Sequence, residues 1–118
     1  MQKTSKQIRK PTVEEFLQFI PKWREFPWSV DVDGLVHIIV PKFQSTVGQH
    51  LCRLVHKKNE FQANMDRLGS FVWQKCDGKT SVKEILKALE KEFPDEKNLD
   101  HRLFAFLTQM GQLDYLSF

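Results

Sequence analysis

The sequence predicts an α+β fold: a three-stranded antiparallel sheet followed by a three-helix unit, with one extra helix before the sheet and another inserted before its third strand. Two observations lead to this class. Apolar residues recur at every second position in the stretches that begin at Trp28 and Phe61, as in half-buried strands. After Met65 the chain carries three stretches with apolar residues at the spacing of amphipathic helices. Strands followed by helices are typical of an α+β domain.

The length of 118 residues suits a single domain, which we predict over residues 1–118. We divide it into a flexible basic tail (1–11), an N-terminal helix with a β-hairpin and an inserted helix (12–58), and a third strand with the three-helix unit (59–118). The net charge is only +3, and the tail supplies more than this excess. The polar start lacks the hydrophobic segment of a signal peptide, and no apolar run reaches the roughly 20 residues that span a bilayer. We therefore expect a cytoplasmic protein without a membrane partner.

The first helix is predicted from Thr12 to Ile20. Thr12 and Glu15 have the spacing of a capping box, in which each side chain accepts a hydrogen bond from the other residue's backbone N–H. Pro21 ends the helix because it lacks an N–H donor and restricts the preceding residue. Four apolar residues share one face of this helix: Val13, Phe16, Leu17 and Ile20.

Asp33-Gly34 predicts the turn of the hairpin, because a two-residue Asp-Gly loop supplies the positive φ angles of a type I′ turn. Such a turn fixes three cross-strand pairs: Val32 with Leu35, Val30 with His37, and Trp28 with Ile39. The second strand, Leu35 to Val40, is apolar on both sides except at His37. This pattern indicates a strand that is covered on both faces.

Helices are expected to cover the second face of that strand. Apolar residues at helical spacing predict an inserted helix over Ser45–Lys57, which packs on the sheet together with the Thr12–Ile20 helix. A third strand is predicted from Phe61 to Met65, where apolar and polar residues alternate. It ends where Asp66 can cap the next helix.

Three helices complete the predicted unit. The first runs from about Arg67 to Cys76 and ends at Asp77-Gly78. The second begins at Thr80 or Ser81, with a capping-box glutamate three residues after the serine, and stops before Pro94. The third runs from about Leu99 to Gly111. Together with the strands, this order of elements is winged-helix-like.

The sequence predicts neither a catalytic nor a metal site. The metal-ligand residue types cluster only at His50, Cys52 and His56, but His50 and Cys52 point about 200° apart on a helix and do not converge. No serine or cysteine lies in a nucleophile motif, and the chain has no phosphate-binding glycine loop. We therefore predict a protein that is not an enzyme and that binds no cofactor.

Helices after strands also fit a DNA-binding regulator, whose recognition helix carries basic side chains to the duplex. The second helix argues against this function, because Lys83, Lys87 and Lys91 are interleaved with glutamates as on a solvated face. A DNA-binding regulator stays an alternative, in which the basic N-terminal arm would contact the phosphates of the DNA. A protein–protein assembly module, including a homodimer, is another.

With Phe104, the third helix carries more apolar surface than the core needs, because this residue projects more than 90° from the main apolar stripe. With Leu107 at its flank and Gly111 one turn further on, Phe104 forms a second apolar strip with room for a backbone to approach. Two interpretations are open: the strip receives a ligand, or Phe104 packs under the extra helices.

The second half of the chain contains MDRLGSFVWQKCDGKTSVKEILKALEKEF followed by RLFAFLTQMGQLDYL. Its distinctive elements are Met65-Asp66, the Phe71–Trp73 helix core, Asp77-Gly78-Lys79-Thr80 and Phe106-Leu107. With these elements the chain resembles the PqqD family, named for pyrroloquinoline quinone biosynthesis.

The resemblance implies a chaperone and not an enzyme. Such proteins are similar to the recognition elements of ribosomally made, modified peptides, which hold a precursor's leader peptide and present it to a modifying enzyme, often a radical SAM protein. The leader adds as a strand to the third strand and lies against the third helix. The peptide-binding residues that the resemblance implies are Phe61, Gln62, Ala63, Asn64, Met65, Phe104, Leu107 and Thr108. The Ser45–Lys57 insertion departs from the family pattern, and it either covers this strand edge or adds a wall to the groove.

Overall fold

A computed structural model of the chain describes residues 11–40 and 61–118. The helices in these ranges are α1 (Val13–Leu17), α2 (Arg67–Gln74), α3 (Val82–Glu92) and α4 (Leu99–Gln112). The strands are β1 (Lys22–Trp23), β2 (Trp28–Val30), β3 (Val36–Val40), β4 (Phe61–Asn64) and β5 (Leu116–Ser117). Three predicted features lie outside the described residues: most of the basic tail, the Ser45–Lys57 helix, and the group of His50, Cys52 and His56.

The predicted α+β class is confirmed. Strands β2, β3 and β4 form a three-stranded antiparallel sheet in that order, so β3 is central. Helices α2, α3 and α4 follow the sheet along the chain, which is compatible with a winged-helix-like arrangement. The cross-strand pairs between β3 and β4 are His37 with Asn64, Ile38 with Ala63, Ile39 with Gln62, and Val40 with Phe61.

The turn between β2 and β3 is not the predicted type I′ turn. The Asp31 N–H donates to the Leu35 carbonyl at 2.9 Å, and the Gly34 N–H donates to the Asp31 carbonyl at 3.0 Å. Gly34 has a φ of 82°, so the loop is a type I turn followed by a left-handed glycine. The Asp31 side chain stabilises this longer loop, because its Oδ1 accepts hydrogen bonds from the backbone N–H groups of Asp33 and Leu35 at 2.8 and 3.0 Å.

The longer loop shifts the hairpin register by one residue, so the three predicted pairs are wrong. The observed pairs are Trp28 with Ile38, Ser29 with His37, and Val30 with Val36. Alternate residues of β3 point to opposite faces of the sheet. Val36, Ile38 and Val40 are buried in the core, and His37 and Ile39 lie half-buried on the other face.

Helix α1 begins as predicted but ends early. The Thr12 N–H donates to Glu15 Oε1 at 2.8 Å and the Glu15 N–H donates to Thr12 Oγ1 at 3.1 Å, which confirms the capping box. The helix stops at Leu17 instead of Ile20. The chain beyond it is held by a tertiary bond, in which the Phe19 carbonyl accepts from the backbone N–H at the start of α3 at 2.8 Å.

The position of α1 also differs from the prediction. Its Phe16 packs edge-on against Phe104 of α4, with ring centroids 5.2 Å apart, and α1 also packs on α3. Helix α1 therefore covers the helical unit and not the second face of the sheet. The physical reason is that aromatic residues on α4 and at the C terminus offer α1 an apolar surface.

A two-stranded sheet of β1 and β5 was missing from the sequence prediction. Lys22 pairs with Ser117 and Trp23 with Leu116, so residues near the C terminus return to the start of the domain. The indole Nε1 of Trp23 donates to the Trp73 carbonyl at 2.7 Å. Strands of two residues are too short to show a period of two, which is why the pattern did not reveal them.

The three-helix unit starts at the predicted caps. Asp66 accepts a hydrogen bond from the Gly69 N–H at 2.8 Å at the start of α2, and Ser81 forms a capping box with Glu84 at the start of α3. The core side chains that are fully buried come from β3, from all three helices and, at Cys76, from the segment just after α2: Val36, Ile38, Val72, Trp73, Cys76, Val82, Ile85, Leu89, Leu103 and Leu107. Helix α2 packs on β3, and α3 packs on both α2 and α4.

Candidate functional site

Strand β4 presents backbone groups at the edge of the sheet. The Met65 N–H donates to the Val36 carbonyl at 2.9 Å, and with the β3–β4 register this bond directs the N–H and C=O groups of Ala63 toward β3. The groups of Gln62 and Asn64 alternate with them and point away from β3. No strand pairs with that side of β4 in residues 11–40 and 61–118. The edge therefore offers two donors and two acceptors to an added strand.

The two faces of β4 differ in character. Ala63 lies opposite the buried Ile38, and both Ala63 and Met65 are half-buried on the core face. Gln62 and Asn64 are exposed on the opposite face. A strand added at this edge would meet apolar side chains on one face and amides on the other, because cross-strand neighbours share a face.

Phe106 of α4 and Met65, which follows β4, both lie close to Gly69. A Cβ placed on Gly69 would be 3.0 Å from Phe106 Cε1 and 3.6 Å from Met65 Cβ. The missing side chain of Gly69 thus lets the ring of Phe106 rest against the first turn of α2. Phe106 and Met65 are both half-buried and pack on the core from this side.

Phe104 lies on another flank of α4 from Phe106, because residues two positions apart in a helix are separated by about 200° around its axis. Its ring contacts Phe16, and Phe118 covers the neighbouring Gly111, where an added Cβ would be 2.7 Å from the Phe118 ring. Aromatic side chains of the chain itself therefore cover the apolar strip around Phe104 and Gly111. This packing corresponds to the second of the two interpretations of Phe104.

The structure brings together only part of the predicted peptide-binding set. The segment from Phe61 to Met65 is contiguous at the edge of the sheet. Leu107 is fully buried in the core, and Thr108 is exposed on α4. The α4 residue that the structure shows close to Gly69 and Met65 is Phe106, which is not in the predicted set.

A pocket of about 330 Å³ opens just past the end of β4. Its charged rim contains two internal contacts: the Arg67 guanidinium lies 5.1 Å from the centre of the Phe93 ring, and Arg102 Nη1 lies 2.7 Å from Glu96 Oε1. The residues that line it are Asp66, Arg67, Leu68, Phe93, Glu96 and Arg102. Two arginines and two carboxylates give the pocket no net charge.

His37 links the hairpin loop to β4 across the exposed face of β3. Its Nε2 lies 2.7 Å from Asp31 Oδ2, and its Nδ1 lies 2.5 Å from Asn64 Oδ1. The hydrogen bonds to Asp31 and Asn64 raise the pKa of His37 above its usual 6.5, because both favour the protonated ring. The hydrogen bond from His37 and those from the loop backbone lower the pKa of Asp31 below its usual 3.8.

Cys76 lacks the chemistry of a nucleophile. It is buried, its Sγ lies 3.3 Å from the Val72 carbonyl, and burial raises the pKa of its thiol to about 12. A thiol with this pKa carries almost no thiolate at neutral pH. Within the described ranges, no three His, Cys, Asp or Glu side chains lie close enough together to hold a metal ion.

From the sequence, Phe106 was identified as part of the family element Phe106-Leu107, and Asp31 was not singled out. One signal for Phe106 was available: Gly69 stands inside a helix, where glycine is unfavourable unless another group approaches closely. A signal for the cluster around His37 was also present, since His37 is the polar exception in an apolar strand. The partners of His37 depend on the strand register, and the predicted turn type implied the wrong register.

Comparison with known protein families gives a match. The sequence model of the family described as Coenzyme PQQ synthesis protein D (PqqD) matches residues 54–116, which is more than half of the chain. No curated protein and no solved structure matches the chain. No helix in the described ranges is long and apolar enough to cross a membrane.

Proposed function

The chain belongs to the PqqD family, and from this premise we propose that it is a non-catalytic peptide chaperone that holds a precursor's leader peptide as an added strand on β4. Membership of this family supports an accessory role in peptide modification. The proposal adds the mode of binding and the partner: β-augmentation, followed by presentation of the leader to a modifying enzyme of the radical SAM type.

The observation that carries this proposal is the edge of β4. The backbone groups of Gln62 and Asn64 point away from β3, and no described strand pairs with them. Ladder hydrogen bonds to these groups would give affinity without requiring a particular leader sequence. Side chains of the leader would supply specificity.

The wall of the groove follows from the packing of Phe106. Its ring and the Cβ of Met65 both lie within 4 Å of the position of a Cβ on Gly69, and Met65 shares a face of the sheet with Ala63. A leader residue that pairs beside Ala63 would point its side chain toward this apolar surface. We therefore propose that Phe106 and Met65 receive apolar side chains of the leader, and that Phe104 contributes to the fold through Phe16.

The role of Gln62 gives a direct test of strand addition. Proline at position 62 removes an N–H that points to the open edge but none of the bonds to β3, so an edge strand tolerates it. A binding peptide would first be selected from a phage-displayed library of short random peptides on the immobilised full-length chain. We expect Gln62→Pro to weaken binding of this selected peptide about tenfold, and Gln62→Thr, which keeps the N–H, to bind like the wild type.

Two outcomes would contradict the proposal. One is that Gln62→Pro, with an unchanged circular dichroism spectrum, binds the selected peptide as tightly as the wild type does. The other is that no selected peptide changes the amide NMR signals of β4. A steep loss of affinity with added salt would favour a phosphate-binding function instead, because strand addition depends only weakly on salt.

A further inference from the structure

We propose that Asn64 selects an acidic side chain in the peptide strand that pairs with β4, and that the protonation of His37 controls this selection. The inference rests on the proposed function, and it specifies the chemical class of one leader residue. It is carried by the contacts of the His37 ring on the exposed face of the sheet.

Both ring nitrogens of His37 face acceptor atoms. Asp31 Oδ2 lies 2.7 Å from Nε2, and Asn64 Oδ1 lies 2.5 Å from Nδ1. An ionised carboxylate and an amide oxygen can only accept, so both contacts are hydrogen bonds only when both nitrogens carry protons. The geometry is that of an imidazolium ring with two acceptors.

The amide of Asn64 transmits this state to the edge of the sheet. Because its oxygen binds His37 on the β3 side, its NH2 group is left on the side of the open edge. Asn64 Nδ2 has no hydrogen-bond partner within the described residues. A leader residue opposite Asn64 would place its Cβ about 4.5–5.5 Å from that of Asn64 on the same face. An amide donor with a positive imidazolium behind it favours a carboxylate at that position.

Loss of the His37 proton reverses the polarity of Asn64. The carboxylate of Asp31 needs a donor, so the neutral ring keeps its hydrogen on Nε2 and Nδ1 becomes an acceptor. Asn64 must then turn its amide over to donate to Nδ1, which places its oxygen at the open edge. This oxygen repels a carboxylate, and the positive charge behind it is gone. The preference for an acidic residue is therefore present at low pH and lost at high pH.

The strand residues beside His37 and Asn64 supply no competing charge; the Asp31 carboxylate lies on the Nε2 side of the ring, and Asn64 contacts Nδ1. Ser29 of β2 lies opposite His37, and Gln62 of β4 lies beside Asn64, and both are uncharged. The hairpin loop contributes Asp31 and, through a backbone bond to the Asp31 carboxylate, Asp33. Asp31 is the titratable residue in contact with the ring in the described part of the chain.

The first experiment follows the free protein and needs no peptide. NMR spectra of the full-length chain would record the His37 ring and the Asn64 side-chain NH2 signals across a pH series. We expect both to titrate with one midpoint above 6.5, the usual value, and we expect Asp31→Asn to lower the midpoint. Asp33→Asn is the matched control and should leave it nearly unchanged. Asn64 NH2 signals that do not follow the His37 titration would overturn the proposal.

The second experiment measures selection with variants of the peptide chosen from the display library. Each polar position of this peptide would be replaced in turn by Asp, Asn and Lys, and binding measured well below and well above the His37 midpoint. At one position we expect the peptide with Asp to bind about fivefold tighter than the peptide with Lys at the lower pH. We expect this ratio of affinities to fall toward one at the higher pH. Asn64→Thr and His37→Gln should remove the pH dependence of the ratio.

The outcomes separate this inference from the proposed function. A peptide that shifts the β4 signals but shows no such position overturns the selection by Asn64 and leaves strand addition intact. If no peptide shifts the NMR signals of β4, strand addition is overturned and the selection by Asn64 with it. This holds even where the Asn64 NH2 signals follow the titration of His37 in the free protein.

Discussion

The ring of Phe106 rests on Gly69, so closely that a Cβ on Gly69 would lie 3.0 Å from Phe106 Cε1. This contact fixes which flank of α4 faces Gly69. It places Phe106 close to Gly69 and Met65 and leaves Phe104, about 200° away on the helix, to the aromatic residues of α1 and the C terminus. The two phenylalanines of one helix therefore have different roles.

Substitution of these two residues separates binding from folding. We predict that Phe106→Ala weakens binding of the library-selected peptide by about 1–2 kcal/mol, because it removes an apolar contact at the groove. Phe104→Ala is the matched control, with an equal loss of side-chain volume on the other flank, and should change this affinity by less than about 0.5 kcal/mol. Isothermal titration calorimetry with folded variants measures both, and the reverse order would place the groove at Phe104.

Gly69→Ala tests the contact from the side of α2. A methyl group would push the Phe106 ring and crowd Asp66 Oδ1, which lies 3.1 Å from the added Cβ. Alanine also favours the helix by about 1 kcal/mol over glycine, so the free energy of unfolding should change little. We expect weaker peptide binding with a nearly unchanged melting temperature. Gln74→Ala, on the exposed surface of α2, should affect neither quantity.

The packing of α1 predicts a stability effect that is separate from binding. Phe16 contacts the rings of Phe19, Phe104 and Phe118, and α1 itself has no fully buried residue. Phe16→Ala removes these half-buried contacts and should lower the free energy of unfolding by about 1–2 kcal/mol. Urea unfolding measures the change. A loss below about 0.3 kcal/mol would mean that α1 does not hold the helical unit.

The pair of Asp31 and His37 makes stability depend on pH. The folded pKa of His37 is raised above 6.5, so its contribution is fully present below pH 6.5 and is lost as the pH rises through the raised value. The folded pKa of Asp31 is lowered below 3.8, so its contribution is present above pH 3.8 and is lost as the pH falls through the lowered value. We expect the difference in melting temperature between the wild type and His37→Gln to be largest between these limits. A difference that does not vary with pH would contradict the hydrogen-bonded pair.

The sequence predicted those elements whose signals are local. Capping boxes at Thr12 and Ser81 and the cap at Asp66 depend on residues three apart, so their helix starts were correct. The hairpin turn failed because two local signals compete at the same place. Asp33-Gly34 favours a two-residue loop, and Asp31, two positions earlier, stabilises a longer one with its side chain.

The site was less predictable than the fold because it depends on contacts between distant residues. The β4 segment was identified from alternation and from the family resemblance. The choice between Phe104 and Phe106 depends on the tertiary contacts of Gly69, Phe16 and Phe118. A helical wheel shows only the angular positions of residues within one helix and contains no tertiary contacts. The partners of His37 likewise follow from the register on both sides of β3.

Hydrogen exchange at β4 tests strand addition most directly. The backbone amides of Gln62 and Asn64 point to the open edge, so a paired peptide strand should slow their exchange by about tenfold or more while leaving Ala63, already bonded to β3, nearly unchanged. The measurement compares the full-length chain with and without the library-selected peptide. Unchanged exchange at Gln62 and Asn64, with new protection around Phe104 instead, would contradict strand addition at β4.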